Sequence, residues 1–283
     1  MPAMNRLLSK IIQKAAVVIV CITIAAVIMG PILIILFTSV KGRGNMVNAS
    51  VLLPPPLEAW VWDNYMAVLN DKLLPVAFRN SVVLIVVSIA FNILLGSTTA
   101  YCLERFRFRF RRVIFSLFYL GMIVPTFILE IARFKLIHSI NLYNTLGAPI
   151  VIYVASDLMQ LYIYRQFISR VPLSLDESAL IDGCGYFRIF WNIIFPQLAP
   201  ATATLTIIKA VNIINDMYIP YLYMPANKLK TLTTFLMNYA NALRGSWQKL
   251  SAAIVIVMIP TVIVYVFFQR YIFEGISAGA VKE

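Results

Sequence analysis

Residues 171–183, VPLSLDESALIDG, carry the most informative local pattern in the sequence. Pro172 suits the start of a helix, because its ring fixes φ and the first helical N–H groups have no internal partner. Ser174, followed three positions later by Glu177, matches a capping box. Gly183 supplies the left-handed conformation that commonly ends a helix. The segment therefore predicts a short capped helix that ends in a tight turn.

A second short helix is predicted after this turn, over residues 187–194, and it is expected to stop at Pro196. Ser178, Ala179 and Gly183 give the first helix an exposed face of small residues. Small residues let another backbone approach closely. The local sequence leaves two interpretations open, a docking surface or an ordinary amphipathic loop with routine caps.

The composition excludes a soluble globular protein. Of 283 residues, 61% are hydrophobic and 13% are charged, whereas soluble domains carry about 25% charged residues. The mean hydropathy is +0.83, and the apolar residues form long blocks typical of membrane spans. The net charge of +12 favours contact with the anionic cytoplasmic leaflet over nucleic-acid binding. One histidine and three cysteines without CxxC spacing predict neither a metal site nor a disulfide framework.

Six apolar segments in the sequence are each long enough for a helix that crosses the bilayer. These predicted spans are residues 15–40, 80–103, 113–129, 145–164, 197–221 and 250–268. The arginine-rich linker 105–112 indicates a cytoplasmic side and is more typical of a topological anchor than of a binding site. Both termini and the loop 165–196 are then cytoplasmic. The sequence predicts one all-α integral membrane domain over residues 1–283.

The loop 165–196 also matches the pattern of a known family. The permease subunits of ATP-binding-cassette (ABC) importers carry Glu-Ala-Ala, three residues, Gly, nine residues and Ile-x-Leu-Pro, known as the EAA motif. This chain resembles them with both spacings intact, in Glu177-Ser178-Ala179, Gly183 and Ile193-Ile194-Phe195-Pro196. Ser178 stands where Ala is usual and Phe195 where Leu is usual. Both replacements keep a small and an apolar side chain, respectively.

The resemblance extends over nearly the whole chain, which is similar to the MalG-type subunit of carbohydrate importers. The supporting stretches are Asp63-Asn64-Tyr65, Asn80-Ser81, Ala100-Tyr101, Arg107-Phe108, Val124-Pro125, Asn144-Thr145 and the tail Ala278-Gly279-Ala280-Val281-Lys282. Similar proteins commonly carry Trp-Asn in the fifth span, where this chain has Ile214-Asn215 followed by Asp216. The substrate preference of relatives is therefore not carried over.

The resemblance implies a type I ABC importer permease fold with six transmembrane helices and a cytoplasmic coupling helix, in a bacterial or archaeal cell membrane. It implies a second, MalF-like permease, two copies of a cytoplasmic ABC ATPase, an extracellular solute-binding protein and the surrounding lipid as partners. The sequence contains no GxxxxGK[ST] phosphate loop. ATP and Mg²⁺ are therefore expected on the ATPase, and no catalytic residue, cofactor, metal or nucleic-acid partner is expected for this chain.

The same resemblance implies that the loop docks on the ATPase. Glu177 would orient and cap the coupling helix, Ala179 and Gly183 would permit close packing, and Pro196 would fix where the loop rejoins the membrane. The full set of predicted coupling residues is Glu177, Ser178, Ala179, Asp182, Gly183, Ile193 and Pro196.

A polar stripe in the fifth predicted span gives candidates for the translocation path. Lys209, Asn212 and Asp216 follow i, i+3, i+7 spacing, with Asn215 beside them. Ionisable residues inside a membrane usually face a cavity or the bundle interior. The stripe predicts contact with a hydrated route or with the partner permease, or else an internal Lys–Asp or amide–backbone network. Asp157 in the fourth span raises the same question.

The sequence thus predicts a permease that moves a carbohydrate, with an oligosaccharide as the expected class. An anionic solute resembling glycerol phosphate is the alternative, for which Lys209 and the external lysines Lys228, Lys230 and Lys249 would be suited. A secondary transporter driven by an ion gradient is a further alternative, although no internal repeat of the kind common in such proteins is visible. A membrane subunit with a structural role only is disfavoured by the ionisable residues in the fifth span.

Overall fold

The computed structural model describes residues 2–42, 53–155, 157–240 and 246–280. Val281 and Lys282 of the tail lie outside these residues. Every regular element in the described ranges is helical, and none of them is a β-strand. The prediction of an all-α chain is confirmed.

The helices are numbered in chain order. They are α1 Pro2–Ser39, α2 Asp63–Leu69, α3 Leu73–Arg105, α4 Arg111–Ile123, α5 Thr126–Ser139, α6 Gly147–Val154, α7 Leu158–Ile168, α8 Leu173–Ile181, α9 Tyr186–Ile189, α10 Phe195–Gln197, α11 Ala199–Asn215, α12 Tyr218–Tyr223, α13 Leu232–Leu236 and α14 Trp247–Ala280. A π-helical segment, Phe190–Ile194, joins α9 to α10, and short 3-10 turns cover Leu57–Ala59 and Asn227–Leu229.

Three helical stretches of the described residues are each long and apolar enough to cross a membrane, namely Gln13–Ser39, Leu73–Arg105 and Trp247–Phe267. Two bent pairs raise the number to five if each pair is one span. These pairs are Arg111–Ile123 with Phe127–Ser139, bent by 112°, and Tyr186–Gln197 with Ala199–Asn215, bent by 75°. The total of six spans stays a prediction.

Three predicted spans are not continuous helices. Helix α4 ends before Val124, which is extended (ψ 121°) because it precedes Pro125, so residues 126–129 belong to α5. Residues 145–164 divide between α6 and α7, with Ala155 extended between them (ψ 130°). Helix α11 ends at Asn215, before the predicted end of its span. Apolar composition does not reveal such breaks when side chains elsewhere satisfy the freed backbone groups.

The described parts of residues 1–71 and 236–258 form one compact unit. Asn64 of α2 donates to the carbonyls of Ser39 (2.9 Å) and Lys41 (3.0 Å). These bonds satisfy carbonyls at and beyond the C-terminal end of α1 that lack helical partners. The Tyr239 hydroxyl donates to the Asp71 carboxylate at 2.8 Å, and burial together with this bond raises the pKa of Tyr239.

The described parts of residues 72–235 and 259–283 form a second unit, in which α3 contributes to both apolar clusters. One cluster includes Tyr101 and Leu103 of α3 with Ala179 of α8. The other includes Leu84 of α3 with Tyr153 of α6. Helix α3 therefore extends from the predicted coupling loop to the break after α6.

Candidate functional site

Helix α8, which the sequence predicts to be the coupling helix, begins earlier than predicted. The amide of Leu175 donates to the Pro172 carbonyl at 3.2 Å, so helical bonding has already started before Ser174 is reached. Pro172 is the N-cap residue, and no side-chain cap bond is present. The predicted capping box between Ser174 and Glu177 is therefore wrong, because both residues lie inside the helix.

The end of α8 lies where the sequence predicted it. Gly183 has a φ of +79°, and the amide of Cys184 donates to the Ala179 carbonyl at 2.9 Å. Among the described residues, no atom other than those of Gly183 and its two chain neighbours lies within 4 Å of a Cβ built at Gly183. The glycine is needed for its left-handed backbone and not for space.

The second part of the loop differs from the predicted helix 187–194. Helix α9 covers Tyr186–Ile189, the π-helical segment follows, and α10 continues through Pro196 to Gln197. The amide of Phe195 donates to the Phe190 carbonyl, a spacing of five residues. Pro196 then lies in the first turn of α10, where a missing N–H costs little. The prediction that the helix stops at Pro196 is wrong for this reason.

The predicted coupling residues do not all face outward. Glu177, Ser178, Asp182, Gly183 and Pro196 are exposed, and Ile193 is half-buried. Ala179 is 6% exposed and belongs to the apolar cluster beneath α8. The prediction that Ala179 is part of an exposed small-residue face is therefore wrong, because this side of the helix packs on its own chain.

Large apolar side chains, which the sequence analysis missed, surround the exposed coupling residues. Ile181 is 86% exposed and Phe187 is 79% exposed, and Tyr186 is also exposed. The sequence could have revealed this patch, because these large apolar residues stand in a loop that was predicted to be cytoplasmic. Outside the predicted spans, such a patch is typical of a protein–protein contact. We call the exposed side chains of Glu177, Ser178, Ile181, Tyr186 and Phe187 the docking surface.

Asp216 does not continue the face of Lys209 and Asn212, because α11 has already ended at Asn215. One carboxylate oxygen of Asp216 accepts the Tyr153 hydroxyl at 2.8 Å, and the other accepts the Ile219 amide at 3.1 Å. Asp216 thus links the ends of α6, α11 and α12. This is an internal hydrogen-bond network, but its partners differ from those of the Lys–Asp or amide–backbone network that the sequence left open.

Lys209 also has a partner within the second unit. Its Nζ lies 3.9 Å from Oδ2 of Asp157, while Oδ1 of Asp157 accepts the Gln160 amide at 2.7 Å and caps α7. Asn212 and Asn215 are exposed. Asn212 and Asn215 are therefore the residues of the predicted stripe whose side chains face away from the core of this chain.

The second unit contains two cavities near these residues. The larger, about 1030 Å³, lies along α3 and α11 and is lined by apolar side chains such as Ile85, Ile89 and Ile207. Within the described residues, its lining includes no member of the predicted polar stripe. The smaller, about 540 Å³, is lined by Asp157 together with Leu117 and Phe118 of α4. The Asp157 carboxylate thus borders a cavity, whereas the larger one is apolar.

Comparisons with known sequences identify the family of this chain and some of its relatives. The family profile described as "Binding-protein-dependent transport system inner membrane component" matches residues 92–277. The chain is 31% identical over 276 residues to the probable starch degradation products transport system permease protein AmyC of Thermoanaerobacterium thermosulfurigenes, covering 96% of this chain and 98% of that protein. It is 30% identical over 254 residues to the melibiose/raffinose/stachyose import permease protein MelC of Bacillus subtilis (strain 168), covering 89% and 91%.

A solved structure shows the same fold. One chain of a bacterial ABC transporter involved in the import of the acidic polysaccharide alginate matches with a TM-score of 0.80 at 22% identity, over 93% of this chain and 97% of that one. The family profile covers well over half of the sequence, including the whole docking surface. The chain therefore belongs to the inner membrane components of binding-protein-dependent transport systems, the permease subunits of ABC importers.

Proposed function

We propose that this permease moves an oligosaccharide across the cell membrane, driven by ATP hydrolysed on partner subunits. The observation that carries the proposal is the docking surface on α8 and α9, within a chain that belongs to the ABC importer permeases. Glu177 and Ser178 lie on this surface beside Ile181 and Phe187, which are almost fully exposed. A cluster of exposed apolar side chains outside the predicted spans is typical of a surface that a partner protein covers.

The proposed partners are two cytoplasmic ABC ATPases, a second permease of the MalF type and an extracellular solute-binding protein. ATP and Mg²⁺ would bind the ATPases, because this chain lacks a phosphate loop. Closure of the ATPase pair on ATP would move α8. The permease would then switch between inward-open and outward-open states, which is a two-state change biased by a ligand at a distant site.

We propose an oligosaccharide as the substrate class only, without the particular sugar of any relative. Relatives that match nearly the whole chain have names that refer to starch degradation products and to melibiose, raffinose and stachyose. The alternative, an anionic solute such as a glycerol phosphate, would be favoured by an unpaired cation in the path. Lys209 does not provide one, since Asp157 lies 3.9 Å from its ammonium group. This pairing supports a neutral substrate.

For the translocation path we propose Asn212 and Asn215 as the side chains that meet the sugar or the second permease. Both are exposed on α11, and amide groups can donate to and accept from hydroxyl groups. Lys209 and Asp216 would hold this part of the path in place through Asp157 and Tyr153. We also propose that both termini are cytoplasmic, on the side of the arginine-rich linker 105–112.

The docking surface can be tested with Ser178→Trp. Ser178 is exposed and helical, so the indole would block a partner without straining the backbone. Gly183 is a poor position for this test, because its φ of +79° strains any larger residue. The permease would be co-expressed and purified with the proteins encoded by neighbouring genes. In the Ser178→Trp assembly we expect either loss of the ATPase subunits or a decrease in the stimulated rate of ATP hydrolysis by about tenfold or more.

Ser139→Trp is the matched control, since Ser139 is an exposed helical serine outside the loop. Hydrolysis and assembly that remain normal in Ser178→Trp would contradict the docking surface. Uptake by the wild-type assembly in proteoliposomes would be measured with maltotriose, raffinose, arabinotriose and glycerol 3-phosphate. Uptake of glycerol 3-phosphate alone would overturn the oligosaccharide proposal, and uptake that needs an ion gradient but no ATP would favour a secondary transporter.

A further inference from the structure

A buried ion pair joins the end of α3 to the coupling helix. Arg105 is the last residue of α3, and its Nε lies 3.1 Å from Oδ2 of Asp176 in the first turn of α8. The two side chains are 11% and 7% exposed, so the pair is shielded from solvent. Removing one member of such a pair leaves an uncompensated buried charge.

The Arg105 guanidinium holds two points of the loop at once. Its Nη2 donates to the Val171 carbonyl at 2.7 Å, just before α8, while its Nε faces Asp176 within α8. Tyr101, one turn earlier on α3, donates its hydroxyl to Oδ1 of Asp176 at 3.4 Å. Nε of Arg105 and Oδ2 of Asp176 form an ion pair without a hydrogen bond. A planar guanidinium can keep this ion pair while it donates to Val171, whereas a lysine ammonium is a single point charge.

A second contact ties the preceding helix to the same end of α3. Oε2 of Glu104 accepts from Nε of Arg165 on α7 at 2.7 Å, and Nη2 of Arg165 lies 2.7 Å from the same oxygen as an ion pair. The Arg165 guanidinium also lies over the Phe115 ring, 4.3 Å from its centre. Helices α7 and α8 are therefore both attached to the last turn of α3.

Further along, α3 holds the break between α6 and α7. Asn92 donates to the carbonyls of Tyr153, Val154 and Ala155 at 3.4, 3.2 and 3.1 Å. Its own amide oxygen accepts from Gln160 at 2.7 Å. A displacement of α3 would act directly on this break, which lies beside the cavity bordered by Asp157.

We propose that Arg105 is a positioning residue that passes the motion of the coupling helix to α3, and through Asn92 to the break after α6. The proposal rests on the proposed function, because it requires α8 to be moved by an ATPase. It separates Arg105 from the rest of the linker 105–112, in which Arg107 and Arg109 are exposed. The whole linker stays a predicted topological anchor, and the proposal adds a second role for Arg105.

The test measures ATP hydrolysis by the complete assembly in lipid nanodiscs. The rate is measured with and without the binding protein, and both samples contain maltotriose, raffinose and arabinotriose. The stimulation ratio is the rate with the binding protein divided by the rate without it. If Arg105 links α8 to α3, a signal that the binding protein gives at the outer face also needs this contact to reach the ATPase. For Arg105→Ala we expect the stimulation ratio to fall about tenfold, within the usual range of coupling between sites. Basal hydrolysis and ATPase stoichiometry should stay those of the wild type, and Arg107→Ala is the matched control.

Two further variants keep the proposal falsifiable if Arg105→Ala does not fold. Arg105→Lys keeps the charge but cannot bridge Val171 and Asp176, and should lower the ratio. The exchange Arg105→Asp with Asp176→Arg should restore part of it. Unchanged stimulation in Arg105→Lys would overturn the proposal, because Arg105 would then have no role in coupling. Parallel loss of basal hydrolysis and of ATPase subunits would also overturn it, because the role of Arg105 would then be purely structural. Absence of stimulation in the wild type would overturn the proposed function itself.

Discussion

Gly96 lies where α3 meets Gln160 of α7, at a point with no room for a side chain. A Cβ at Gly96 would lie 2.4 Å from Nε2 and 2.5 Å from Cδ of Gln160. The Gln160 amide cannot move away freely, because it is buried and donates to the carbonyl and the side chain of Asn92. One glycine thus permits the polar contact that supports the break after α6.

Gly96→Ala should therefore destabilise the permease. Alanine favours a helix over glycine by about 1 kcal/mol, but displacing Gln160 overpacks the site and removes hydrogen bonds, at a cost of roughly 1–3 kcal/mol for each effect. We expect a net decrease in the free energy of unfolding of the purified chain, measured by thermal unfolding in detergent. In Gly121→Ala, the matched control on α4, no atom lies within 4 Å of the new methyl. Equal stability of the two variants would contradict the close approach.

The coupling helix α8 depends on how its C-terminal end is closed. Asp182 is its C-cap and Gly183 takes the left-handed conformation. By contrast, Gly185 is extended, with φ −75° and ψ 157°, a conformation open to any residue. The two glycines therefore differ in what they contribute, although both have open space around them.

Gly183→Ala should loosen α8, whereas Gly185→Ala should not. A non-glycine residue in the left-handed region costs about 1–3 kcal/mol, and asparagine tolerates it better than alanine. Amide hydrogen exchange over Leu173–Ile181 is expected to be fastest in Gly183→Ala, intermediate in Gly183→Asn and unchanged in Gly185→Ala. Equal exchange rates in all variants would show that this end does not limit the stability of the helix.

Structural features that depend on a few neighbouring residues were predictable from the sequence. The end of α8 at Gly183 is one, because a single residue determines the backbone there. The pairing of Tyr101 with Asp176 is not, since 75 residues separate the two in sequence. The break after α6 was also missed, because Asn92 on another helix satisfies its carbonyls. The stripe of Lys209 and Asp216 assumed a helix that continues past Asn215, where α11 ends.

Two tyrosines outside the predicted spans, the buried Tyr223 and the half-buried Tyr239, should lower the stability of the chain at alkaline pH. Burial, followed by the hydrogen bond to Asp71, raises the pKa of Tyr239. Burial, followed by the hydrogen bond to Glu130 at 2.5 Å, raises the pKa of Tyr223. In both cases the folded state binds the phenolic proton more tightly than the unfolded state does.

The free energy of unfolding should therefore fall once the pH exceeds the ordinary tyrosine pKa of about 10. Above it the unfolded chain loses these protons first, so unfolding becomes easier by about 1.4 kcal/mol per pH unit for each tyrosine. Thermal unfolding between about pH 9 and pH 11 would measure this slope. Tyr239→Phe and Tyr223→Phe together should reduce it, and an unchanged slope would show that other groups cause it.

The π-helical segment Phe190–Ile194 has a consequence for the length of the chain. It carries one more residue per hydrogen-bonded turn than an α-helix does. Loss of a single codon here, for example that of Asn192, would restore ordinary α-helical spacing inside the segment and would change the directions of the flanking residues little. The same loss within the regular helix α7 would rotate one side of the helix by about 100° relative to the other. One-residue deletions should thus be better tolerated in evolution within this segment than within α7.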